Sequence, residues 1–74
     1  MFSNWQNFIT SSPDILKGKP RIKDTRISVS LILGYLADGY SKEDILKEFS
    51  DLTEEHILAC LAYARALADF EEVA

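Results

Sequence analysis

The chain has one cysteine, one histidine, three glycines and two prolines among 74 residues. A lone Cys60 excludes an internal disulfide. With only His56 beside it, the sequence argues against a structural zinc site, which takes four ligands, mostly Cys and His. No apolar run approaches the roughly 18 residues of a membrane span. The opening MFSNWQNFIT has neither a basic start nor a continuous apolar core, so it does not read as a signal peptide. A glycine-rich phosphate loop is also missing: KGKP holds one glycine and then a proline, which has no N–H to donate. No repeat, low-complexity tract or linker is visible. These absences lead to the expectation of a cytoplasmic protein, a compartment that one free thiol suits, with no cofactor.

What is present is globular. Hydrophobic residues make up 47% of the chain, too many for a disordered segment. The length allows one small domain, residues 1–74. A chain this short buries only about 60% of its unfolded surface, and such scaffolds usually need a staple. Without disulfide or metal, self-association or a second protein is the staple left. Charge is uneven. Residues 1–36 hold five bases and two acids, whereas residues 37–74 hold three bases and ten acids, for a net −4 overall. The five front bases, Lys17, Lys19, Arg21, Lys23 and Arg26, all fall within KGKPRIKDTR. Either the two halves neutralise each other in the fold, or the bases form an interaction surface.

Along the chain, an irregular front (1–28) precedes a helical back (29–74). Pro13 and Pro20 break any long helix in the front. NFIT suggests a short strand, SSPD a turn, and PRI and RIS two extended pieces around KDT, a small hairpin in which Asp24 takes positive φ. In the back, Val29, Ile32, Leu33 and Leu36 mark one helical face, with Ser28 or Ser30 as cap and Gly39 after the end. SKEDILKEF opens on Ser41 as N-cap, and Ile45, Leu46 and Phe49 form its apolar side. The third helix starts after Thr53, with Glu54 and Glu55 in its first turn. Its expected face is Ile57, Leu61, Ala64 and Ala68, widened by Cys60 and Leu67. The fold class is therefore mainly α: three helices in helix-turn-helix order behind a β-containing N-terminal arm.

The segments SPDIL, KGKP, KDTR, ISV, GYSKEDI and LTEEHILACLAYA, in that order and spacing across residues 5–64, make the chain resemble the prokaryotic family known as domain of unknown function 433. Two departures stand out. Lys17 occupies a position where that family often has glycine, and Asp24 occupies its usual turn glycine. The resemblance implies a helix-turn-helix-like dimer, the antitoxin half of a VapB–VapC kind of pair, whose partner is a PIN-like nuclease. It also implies a role for the dimer in repressing its own operon through operator DNA.

The residues permit several chemistries. His56 and Cys60, four apart on one helix face, are the only pair resembling a nucleophile and base, and no third group orients the histidine. Cys60 borders the apolar side, which suppresses thiolate; the expectation is no enzyme. For nucleic acid, the start of the third helix offers Thr53, Glu54, Glu55 and His56, and two acids there repel phosphate. Lys17, Lys19, Arg21, Lys23 and Arg26 are the better candidates for phosphate contact. For a dimer or partner interface the candidates are Trp5, Leu31, Tyr35, Tyr63, Leu67 and Phe70, apolar groups that a small monomer cannot all bury. Phe2 and Phe8 flank Trp5 in the same N-terminal aromatic group; the alternative for Trp5 and Phe8 is that they fold over the bundle. A dimeric interaction module without a nucleic-acid role is the alternative function.

Overall fold

A computed structural model describes residues 4–71; Phe2, one of the N-terminal aromatics, lies outside them. A 3-10 turn at Trp5–Asn7 leads into β1, Ile9–Thr10. The SSPD segment turns back on itself, Ile15 N–H donating to Ser12 O at 3.1 Å. A second 3-10 turn, Leu16–Gly18, precedes β2, Arg21–Ile22. β1 and β2 pair antiparallel, with Ile9 opposite Ile22 and Thr10 opposite Arg21.

The hairpin expectation needs correcting in its partner. The KDT turn is present, and Ile22 N–H donates to Ile27 O at 2.9 Å. Beyond it, however, only a single antiparallel bridge forms, Arg21 with Ser28. The reason is local. Thr25 Oγ1 donates to Ile22 O (2.7 Å) and accepts from Ile27 N–H (3.0 Å), closing the turn tightly. Ser28 is then committed as a helix cap, so RIS cannot run on as a strand. The strand partner of Ile22 comes from NFIT.

α1 spans Val29–Ala37. Ser28 Oγ accepts from Leu31 N–H at 3.0 Å. Its end is a Schellman motif: Gly39 N–H donates to Leu36 O and Tyr40 N–H to Tyr35 O, both 3.0 Å, with Gly39 at φ 94°. The apolar contact that accompanies such an end is Tyr35 against Tyr40, edge to face at 4.9 Å. α2, Lys42–Glu48, opens with a reciprocal capping box: Ser41 Oγ accepts from Asp44 N–H, and Asp44 accepts from Ser41 N–H. These hydrogen bonds, the backbone one first, hold the Asp44 carboxyl below its ordinary pKa.

α3, Glu54–Glu71, runs for 18 residues and packs against α1, α2, β1 and the first 3-10 turn. The core joins Ile9 and Ile22 of the sheet to Val29, Ile32, Ile45, Leu52, Ile57, Ala59 and Cys60. The expected α3 face is rotated. Leu61 and Ala68 are exposed, while Ala59 is buried and His56 and Tyr63 are half-buried. The arm causes this shift, because Trp5 packs edge-on against Tyr63 (5.0 Å) and Phe8 against His56 (5.6 Å). Among the described residues, no helix is long and apolar enough to cross a membrane.

Candidate interaction surface

The basic stretch divides in two. Arg21 points inward: it is only 8% exposed, Nη1 donates to Thr25 O (3.2 Å) and Nη2 to Ser12 Oγ (3.3 Å), while Nε has no partner. Its guanidinium ties the SSPD turn to the KDT turn. This corrects the expectation that Arg21 belongs to a solvent-facing phosphate surface. The turns explain the difference: Arg21 alternates with core-facing Ile22 and so lies on the other face of the ribbon, where the SSPD and KDT turns close over it.

Lys17, Lys19, Lys23 and Arg26 are exposed. None forms an ion pair with a described carboxylate; the pairs present are Lys42–Glu54 and Arg65–Asp69. Direct ion pairs with the described carboxylates are therefore not how these bases are used. Lys17, Lys19 and Arg26 rim an open depression of ≈ 400 Å³ whose remaining walls are Leu16, Ser28 and Leu31. Leu31 is 44% exposed there. What aims Lys17 and Lys19 at this depression is an unusual backbone. Leu16, Lys17 and Gly18 all have positive φ (53°, 56° and 82°), three left-handed residues in a row. Left-handed conformation is disfavoured by about 1–2 kcal/mol for residues with a Cβ. Asp24, at φ 63°, takes the expected left-handed turn position. For Lys17 the signal was the departure from glycine. Nothing in the sequence marked Leu16.

The interface candidates also divide. Trp5 and Tyr63 are half-buried against each other, and Tyr35 is held between Tyr40 and Phe49. These three serve the chain's own packing first. Leu31, Leu67 and Phe70 remain exposed, Phe70 at 79%. Sequence reasoning missed Tyr40 and Leu61, both also exposed. A second groove, ≈ 360 Å³ and almost wholly apolar, runs between α1 and α3 past Pro20, Val29, Leu33, Tyr63 and Leu67, with Lys19 at its edge.

The start of α3 has little freedom for base contact. Lys42 hydrogen-bonds Glu54, which raises the Lys42 pKa above its ordinary value. Glu55 stays exposed. His56 Nδ1 accepts from Thr53 N–H at 2.9 Å, closing the helix start much as a capping-box carboxylate does. That bond uses the lone pair of Nδ1, so the ring proton sits on Nε2. Cys60 is fully buried, and burial pushes its thiol up to about 11. Among the described residues, no three His, Cys, Asp or Glu side chains gather to hold a metal ion.

A family described as "Protein of unknown function (DUF433)" matches residues 9–64. One relative is the "Uncharacterized protein y4eO" of Sinorhizobium fredii (strain NBRC 101917 / NGR234), 38% identical over 61 residues. The match covers 82% of this chain but 28% of that protein. No solved structure matches the chain.

Proposed function

The chain belongs to the DUF433 family, and from that premise we propose that it is a non-enzymatic, cytoplasmic binding protein. In this reading it is an antitoxin-like component whose basic, leucine-centred face docks a PIN-like nuclease. The observation that carries the reading is the depression around Leu31, where three cations, unpaired with any described carboxylate, surround an exposed apolar side chain. Partner sites pair apolar anchors with a polar rim in this way, and unpaired charge speeds encounter with an acidic surface. Against catalysis stand the buried, protonated Cys60 and the commitment of His56 Nδ1 to the backbone. Co-expression with a PIN-like protein encoded beside the gene tests the proposal. We expect a complex that survives gel filtration and silences nuclease activity, and that Leu31→Asp or Lys19→Glu with Arg26→Glu disrupts. Absence of any complex overturns it.

A second reading has one observation in its favour. Exposed Lys17, Lys19, Lys23 and Arg26 are free to meet phosphates, and a dimer doubles them. Operator binding should then weaken steeply with salt. Lys19→Ala with Lys23→Ala should flatten that slope, while Arg21→Ala changes stability instead. No salt-sensitive binding at low ionic strength leaves the plain interaction module as the function.

A further inference from the structure

We propose that the α1–α3 groove is the self-association site of this protein, filled by the projecting end of α3 from a second copy, with Phe70 as its anchor. The inference deepens the dimer part of the preceding reading and is independent of the nuclease and of DNA.

Every residue from Arg65 to Phe70 is exposed. Leu67 and Phe70, in the last turns of α3, are therefore left largely to solvent in the single copy. Most helical stability in proteins comes from packing an apolar face, and here two large apolar side chains of that end stand exposed. They belong to an apolar face. Ala64, Leu67 and Phe70, with Tyr63, recur at spacings of three and four along one side of α3. The groove lies on that same side, since Tyr63 and Leu67 form its wall while Phe70 stands beyond it. A straight helix cannot fold its own Phe70 back into the groove.

A second copy can supply it. Let two α3 helices cross antiparallel at Leu67, so that each Leu67 meets its twin across a two-fold axis. Phe70 of either copy then comes opposite Ala64 of the other, a small side chain beside the Tyr63 and Leu67 wall of the groove. The contact is self-complementary and closed, as a two-fold interface must be. Charge agrees. Three acids, Asp69, Glu71 and Glu72, surround Phe70 in the sequence, and the groove's charged rim residue is Lys19. Leu31 and Leu33 are two positions apart on α1 and so face opposite ways. Dimerisation on the Leu33 side leaves Leu31, Lys17 and Arg26 open to a partner, while Lys19 borders both depressions.

Sedimentation equilibrium and oxidative cross-linking of the full chain test this. We expect a dimer at tens of micromolar that Phe70→Glu weakens roughly tenfold or more, as loss of a central aromatic anchor does. Phe70 is exposed in the single copy, so the variant keeps its helical circular dichroism. We expect Leu67→Cys to form a disulfide-linked dimer rapidly. Leu61→Cys, equally exposed but on another side of α3, should not; the buried native thiol stays out of both reactions. Monomeric wild type, an undiminished Phe70→Glu dimer, or equal cross-linking at positions 61 and 67 overturns the proposal. A Phe70→Glu monomer that still captures the nuclease supports it and keeps the partner reading separate.

Discussion

The arm and the helices contribute to one core by different means. The helices follow ordinary rules: each start has a side-chain or capping-box acceptor, α1 ends on a left-handed glycine, and apolar residues recur at helical spacing. The arm has two strands of two residues each, a buried guanidinium and three non-glycine residues at positive φ. Nevertheless it places Ile9 and Ile22 in the same cluster as Ile32, Ile45 and Ile57. Regular secondary structure is thus not what earns a residue a place in this core. The arm is held in shape by specific polar contacts and the helices by repetition, so single substitutions should discriminate between the two regions.

The largest effect should come from the shared core. Ile22→Ala in the arm and Ile57→Ala in α3, both fully buried, should each destabilise by about 2–5 kcal/mol in urea unfolding. A much smaller loss at Ile22 would break the equivalence of the two regions. Next come the neighbouring bases. Arg21→Ala removes the tie between two turns and should cost about 1–3 kcal/mol, whereas Lys23→Ala should stay within about 0.5 kcal/mol. On the helical side, Ser41→Ala and His56→Ala each remove a helix-start acceptor and should cost about 1 kcal/mol. Acid should act on the same element. The Asp44 pKa is lowered in the fold, so its contribution is present above the ordinary carboxylate value of 3.8 and lost as pH falls through the folded value. Asp44→Asn should flatten that acid limb of the stability profile. Smallest, and opposite in sign, is Lys17→Gly. Relief of left-handed strain should raise stability by up to about 1 kcal/mol, and by less for Asp24→Gly, since Asp tolerates that conformation better.

The same contrast explains what could be read from the sequence. Helix starts, the Gly39 end and the faces of α1 and α2 are local and periodic, and the sequence displays them directly. The left-handed Asp24 was legible because a turn between two extended pieces demands such a residue. The inward turn of Arg21 was not: it depends on β1 pairing with β2 across ten intervening residues, and on Ser12 and Thr25 both lying within reach. Leu61 was placed in the core by helical spacing alone. Its exposure follows from the arm, whose Trp5 and Phe8 drew the buried sector toward Tyr63 and His56. Of the candidate interaction residues, exposure could be read for Leu31, Leu67 and Phe70, while the mutual stacking that occupies Trp5, Tyr35 and Tyr63 needed the tertiary contacts. Burial of Cys60 was legible from its place on the apolar side of α3.

The contact of Trp5 and Phe8 with α3 also fixes an order of events during synthesis. The arm is synthesised before α3, so the surface it settles on, from His56 to Tyr63, does not yet exist when the arm emerges. Until it does, Ile9 and Ile22 have no completed core to enter, and two strands of two residues cannot hold together alone. The arm therefore cannot complete its folding ahead of α3. Closure of the arm onto α3 is a non-local step of the kind that slows folding, and the interval before it is when the apolar arm is most open to capture by chaperones or to aggregation.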